Sequence, residues 1–398
     1  MTAEVSSLRE NLRSLPREAW ILFIGSFINR FGSFVHPFLI FFLTSKGYSI
    51  PAAGFAVGCY GAGHLAAVGL GGYLADRIGR RNTIALSMFS SAAAMLALSQ
   101  ASTYTMLLVL TFLAGMTTEL YRPSSAALLA DLVPAERRAT AYAMYRLAIN
   151  AAFAAGPATA GFLAGKNFLY LFVGDAITSI IFGVVALIFL PHGQRSERDK
   201  SGWSHALRPA SRDKAFLLFL VATLCITLVD FQMASTVALH ITKVGFTPAI
   251  YGALISVNGV LIILFEVPIT QWTMRRPFRT VIAAGYFAQG IGFALTGLAT
   301  TIPALLATVV IWTIGEMVSA PAASTYVANI APTDLRGRYL GMWTGMWSLG
   351  LMLGPWLGTA LFARHASILW LLCAVLGTLA AILVLIRPSP APIAVSQP

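Results

Sequence analysis

Phe168-Leu-Tyr-Leu-Phe-Val-Gly-Asp-Ala-Ile-Thr-Ser-Ile-Ile-Phe-Gly-Val-Val-Ala-Leu-Ile-Phe-Leu-Pro191 is followed at once by His192-Gly-Gln-Arg-Ser-Glu-Arg-Asp-Lys200. The first stretch holds a single charged side chain, Asp175, and the second holds five. Roughly 20 apolar residues in a helix cross about 30 Å of hydrocarbon. The run has no alternation of period two and is far longer than a barrel strand, so it reads as a membrane-spanning helix that ends in water.

Moving outward, the same contrast repeats. Breaks at Pro, Gly or charge delimit twelve apolar runs, near 19–44, 50–75, 82–101, 104–131, 139–163, 168–191, 214–243, 248–274, 279–300, 303–330, 338–363 and 366–387. The chain is 57% hydrophobic and 11% charged, with mean hydropathy +0.76. A soluble domain carries about 25% charged residues, so this one lacks the polar surface needed to dissolve. The net charge of +12 is spread singly through short loops, which excludes a nucleic-acid partner. Twenty Lys and Arg fall in the termini and even-numbered loops, against Lys46, Lys166, Lys243 and Arg364 on the opposite side. The positive-inside rule then puts both termini in the cytoplasm of a multi-pass inner (plasma) membrane protein, whose first span is retained rather than cleaved as a signal. Cys59, Cys225 and Cys373 are scattered in apolar runs with no metal spacing, so no metal site is expected.

The polar stretch divides the chain. Residues 1–18 read as a cytoplasmic tail, 19–191 as a six-helix bundle, 192–213 as a cytoplasmic linker, 214–387 as a second six-helix bundle and 388–398 as a C-terminal tail. The two bundles echo each other. Pro123, Pro134 and Gly156-Pro157 recur as Pro321, Pro332 and Gly354-Pro355, each 198 residues on. Three coincidences at one offset imply duplication, and duplicated halves in a membrane enclose a site at their interface near the midplane.

The second loop reads Gly72-Tyr-Leu-Ala-Asp76-Arg77-Ile-Gly79-Arg80-Arg81. It resembles the signature loop of the major facilitator superfamily. That resemblance, which covers essentially the whole chain, implies an all-α fold of twelve transmembrane helices in two pseudo-symmetric bundles. It also implies that Asp76 caps a helix of the other half, while one of the arginines meets Asp131. The second-half counterpart, from Thr270 to Arg279, keeps arginines but lacks the acid and the glycines. Span five carries Gly156-Pro157 with Gly161 beyond, similar to the Gly-Pro motif of the antiporters in this superfamily, with alanine in place of its first glycine. Small residues there allow close helix approach, and proline permits bending. Phe31-Gly32-Ser-Phe-Val-His-Pro37 is similar to a drug-antiporter motif. The buried arginine of a further motif is Thr111 here, ahead of Gly115.

A charge at mid-span costs about 2.5–3.5 kcal/mol on insertion scales, so it is a functional candidate by default. Arg30, Glu119, Arg122, Asp230 and Glu316 are such charges, on spans one, four, seven and ten. The resemblance implies that these four helices line a central cavity. Glu119 and Arg122 share a helix face at i, i+3, and Arg30 lies at similar depth. Static ion pairing is the competing reading for these three. Glu316, with no cation near it in sequence, is the leading candidate for a proton carrier, with Glu119 and Asp230 as further candidates. Arg146, Asp175, Glu266, His36 and His64 are secondary, and Phe34, Trp312, Trp343 and Trp347 are candidate cavity aromatics.

Phosphate loop, metal cluster and nucleophile–base spacing are all missing from the sequence, which argues against an enzyme and against any cofactor. Without an ATP-binding motif, a gradient must supply the energy. The expected function is therefore export of apolar, cationic small molecules in exchange for protons, by a monomer. The alternatives are a carrier for a nutrient, organic anion or metabolite and, more remotely, a non-transporting membrane scaffold.

Overall fold

The computed structural model describes residues 15–134, 137–193, 211–332 and 335–386. Most of the expected 192–213 linker, the 388–398 tail and all but the end of the 1–18 tail lie outside the described residues. Among those described, ten segments are long and apolar enough to cross a membrane. One of them, Arg336–Leu385, runs 50 residues and is kinked at His365 (φ −147°, ψ 84°), so it supplies spans eleven and twelve. Phe278–Thr296 packs along Ile302–Ile330 and Arg336–Leu385 and completes the twelve. The surface is inverted relative to a soluble protein. Ile188, Val267 and Leu371 are each more than 60% exposed on the outer face, where lipid tails replace water.

Local irregularities have sequence causes. Span one, Arg17–Ser45, stops at Phe31 and restarts at Val35. Pro37 has no N–H and its ring crowds the carbonyl four residues back, so a continuous helix is disfavoured there. The buried Asp175 carboxylate accepts the Val35 N–H at 3.5 Å and caps the restart. Span four, Tyr104–Leu132, is interrupted at Leu120, and Pro123 stands four residues after Glu119. Span seven, Lys214–Lys243, contains one turn of π-helix, Met233–Val237, just past Asp230. The signature loop turns at Gly79, where φ is +89°, a backbone state that side chains bearing Cβ rarely adopt.

The duplication is visible in packing. Gly156 of span five, Thr140–Ala164, lies so close to span one that a Cβ would sit 2.8 Å from the Phe31 carbonyl. Its counterpart Gly354 on span eleven meets the Leu228 carbonyl of span seven, with a Cβ 3.2 Å away. Both glycines thus serve the same helix pair in their own half.

Between the halves, contact is one-sided. Span two, Ile50–Ile78, presses Gly54, Gly58 and Gly61 onto span eleven, and a Cβ at Gly61 would be 2.4 Å from the Met352 backbone nitrogen. Span eight, Pro248–Thr273, presses Gly252 and Gly259 onto span five at Pro157 and Ala154. Tyr251 closes the same side. Phe38 and Phe41 stand edge-on to its ring at 5.3 Å, and its hydroxyl donates to the Met233 carbonyl. Towards the basic loops the halves diverge. Gly69 and Gly72 on span two, and Gly337 and Gly345 on span eleven, face open space. A cavity between the halves therefore opens towards the basic-loop side.

Candidate functional site

At the broken point of span four sits Glu119, 7% exposed and approached by three basic groups. Arg30 Nη1 lies 3.6 Å from one carboxylate oxygen, while Arg122 Nη1 at 3.5 Å and His64 Nε2 at 3.3 Å reach the other. The helix-face argument from sequence covers Glu119 and Arg122, and the two breaks in spans one and four carry Arg30 and Glu119 to one level. His64, a secondary candidate from sequence, is the partner that spacing did not assign to Glu119. Its other ring nitrogen, Nδ1, is 3.0 Å from Ser348 Oγ on span eleven, so the cluster touches the opposite half.

This cluster forms one wall of a cavity of about 400 Å³. His36 and Tyr60 stack at 4.7 Å beside it. The facing wall is mostly apolar, built from Phe231, Trp343, Trp347 and Leu351, with Phe153 and Gly156-Pro157 from span five along the side. Of the four aromatics considered from sequence, Trp343 and Trp347 therefore line the cavity. Phe34 and Trp312 are placed elsewhere. Phe34 packs edge-on to Phe31 and against Gly174, and Trp312, 1% exposed, stacks on Phe293 at 5.1 Å. The Trp312 backbone also lies against Gly292 of a neighbouring span, where a Cβ would be 2.7 Å from its nitrogen, so this residue is a packing element.

The second half carries acids without arginines. Glu316, on span ten, Ile302–Ile330, accepts a hydrogen bond from Asn258 Nδ2 at 3.1 Å, and the same amide also donates to Thr313 Oγ1. Asp230 is near enough to Glu316 for their charges to act on each other, and Glu266 adds a third carboxylate to that field. Among the described residues, neither Asp230 nor Glu316 has an ion-pair partner. Neither lines the 400 Å³ cavity. Glu266 is held by Arg146 across the interface at 2.7 Å, with Asn150 at 3.4 Å.

At the basic-loop end, Arg80 pairs with Asp131 and donates to the Ala127 carbonyl at 2.6 Å. Arg77 donates to Tyr73, and Arg81 meets His192 at 2.6 Å. Asp76 is exposed. Gly156 serves span one, whereas Pro157 and Gly161 face Gly252 and Ala249 of span eight, so the Gly-Pro motif sits on the contact between halves. Metal-ligand groupings of His, Cys, Asp and Glu are absent among the described residues.

Comparison with known proteins agrees with this architecture. The chain is 27% identical to the uncharacterized MFS-type transporter YqjV of Bacillus subtilis over 85% of each chain. It is 24% identical to a Na(+), Li(+), K(+)/H(+) antiporter of Planococcus maritimus, over 72% of this chain and 75% of that one. It is also 24% identical to the multidrug resistance protein MdtH of Aeromonas salmonicida, over 93% and 94%. In three dimensions it is similar to the nucleoside transporter NupG (TM-score 0.81, 14% identity, covering 92% of this chain and 99% of that one). The profile of the Major Facilitator Superfamily matches residues 22–247 and again 223–398. A duplicated twelve-span bundle around an interface cavity, matched by that profile along nearly its whole length, makes this chain a member of the major facilitator superfamily, a transporter rather than an enzyme.

Proposed function

We propose that this protein is a proton-coupled secondary transporter that exports apolar small molecules by alternating access, in the manner of a multidrug efflux pump. The observation that carries the reading is the cavity itself. At about 400 Å³ it falls within the usual range for drug-sized ligands, about 300–1,000 Å³, and one wall is aromatic while the other is a buried ion cluster. With both termini in the cytoplasm of the inner (plasma) membrane, as the basic loops suggest, the open side faces the cytoplasm. Substrate enters there. Rocking of the halves about the site then separates the glycine contacts on the far side, and the functional unit is one chain.

Coupling falls to the second half. Glu316 and Asp230 are carboxylates in a low-dielectric setting with no counter-cation among the described residues, and the neutral amide of Asn258 holds Glu316. An inward-moving proton would neutralise Glu316 while the halves are open to the outside and be released once they are open to the cytoplasm, and exchange requires such a coupling free energy. The acids do not require a cationic substrate, because Glu119 is already surrounded by bases. The names of two relatives, a multidrug resistance protein and a cation/proton antiporter, support the class.

The test uses everted vesicles loaded by respiration, with fluorescent lipophilic dyes of different charge outside. Uncoupler-sensitive dye accumulation that disappears in Glu316→Gln is the expected result. Accumulation that persists with uncoupler, or in the variant, would overturn the coupling assignment. No dye movement under any gradient would overturn the export reading.

A further inference from the structure

A ligand entering the cavity meets hydrogen-bond donors far more than acceptors. The wall's carboxylate, Glu119, is nearly buried and shared by three basic groups, whereas Arg30 and Arg122 keep 33% and 57% of their side chains exposed. A guanidinium carries five N–H donors and no acceptor. Each arginine approaches Glu119 through one nitrogen, so most of its donors remain free for a partner in the cavity. Two arginines against one carboxylate also leave this wall with a net positive charge.

The opposite wall adds to the imbalance. The Trp343 indole nitrogen is buried and has no acceptor among the described residues. An indole N–H can only donate, and a buried donor without an acceptor is a strained arrangement that native structures rarely keep without a reason. Next to Trp343 the surface turns apolar, with Trp347 edge-on to Phe231 at 6.3 Å and Phe153 beyond. The carboxylates Asp230 and Glu316 are not on these walls.

We propose that the cavity selects amphipathic organic anions. A carboxylate or similar acidic head group rests on Arg122 and Arg30 and accepts from the Trp343 indole, while an aryl or alkyl body lies against Trp347, Phe231 and Phe153. This assigns the substrate class of the exporter site and rests on that reading for its direction of transport, though not for binding. Arg122 and Trp343 are the specificity-determining residues.

The experiment is calorimetric titration of the purified full chain at neutral pH with three probes of one shape: 2-naphthoate, 2-naphthylmethanol and 2-naphthylmethylammonium. Naphthoate is expected to bind at least about tenfold more tightly than the other two, a difference well resolved by titration. In Arg122→Gln that margin disappears while naphthylmethanol binding is retained. Arg122→Gln also disturbs Glu119, so its melting temperature is recorded. Trp343→Phe, which removes the N–H and keeps a ring, provides an independent variant, in which naphthoate should weaken several-fold more than the alcohol. Equal or tighter binding of the ammonium probe, no naphthoate binding, or a naphthoate preference unchanged in both variants would overturn the proposal. Vesicles that fail to transport while naphthoate preference holds would remove the exporter reading and leave the anion site standing. Proton-driven transport without naphthoate preference would do the reverse.

Discussion

The two halves share an ancestor and a packing scheme, yet they treat charge in opposite ways. In the first half one carboxylate, Glu119, is surrounded by Arg30, Arg122 and His64, a cluster in which the acid is paired and positive charge is left over. In the second half Glu316 and Asp230 lie within each other's field with an amide, Asn258, as the nearest polar support. A buried charge is tolerated where an opposite charge pairs with it, and two neighbouring acids offer each other no such partner. On the proposed reading, the duplication has yielded one half that holds the ligand and another that carries the coupling proton.

The sharpest way to break this comparison is to make the same change in both halves. Glu316→Gln is expected to lower uncoupler-sensitive transport by roughly a hundredfold, the order lost when a proton-transfer group is removed, while the melting temperature of the purified protein stays level or rises. Vesicle uptake and thermal melting on one preparation check both parts. Glu119→Gln, by contrast, strands three basic groups and should destabilise the fold by about 3–5 kcal/mol. The double change Glu119→Gln with Arg30→Gln should recover part of that loss, and a double change no more stable than the single would argue against pairing of Glu119 with Arg30.

Smaller effects sharpen the edges of the picture. Arg80→Ala removes the pairing with Asp131 and the bond to the Ala127 carbonyl. It should cost about 1.5–3 kcal/mol, the range for hydrogen bonds to charged groups, as read by denaturant or thermal unfolding. Arg146→Ala breaks the ion pair between spans five and eight, but Arg146 is 64% exposed. An exposed pair contributes about 0–1 kcal/mol, so melting should barely move. A large shift there would mean that this pair, rather than the glycine contacts, holds the halves together.

The spans were legible because each apolar run ends at proline, glycine or charge, and hydrocarbon thickness fixes its length. The break expected between 363 and 366 appears as the kink at His365 inside an otherwise continuous helix. The Glu119–Arg122 pair could be read from i, i+3 spacing, since one helix face is a local property. His64 and Asn258 could not be placed, because their partners come from other spans and distance across a bundle leaves no mark in spacing. Trp312 and Trp343 are alike in composition and depth. Only their neighbours across the bundle separate a ring stacked on Phe293 from one on the cavity wall. The signature loop was legible as chemistry, and the Arg80–Asp131 pair lies within one half. The cap expected of Asp76 depends on how the halves are tilted, which no residue type encodes.

The π turn at Met233–Val237 sets the angular phase of span seven. An α-helix advances about 100° per residue, and a π turn takes in one residue more than an α turn. Asp230 is therefore offset by about that angle from where a regular helix through His240 would aim it. Removing a single residue from this turn would restore regular winding and swing the carboxylate about a quarter-turn or more around the helix axis, away from Glu316, with no change in any side chain it carries. Which acids this protein brings together is thus decided as much by the number of residues in one turn as by their identity.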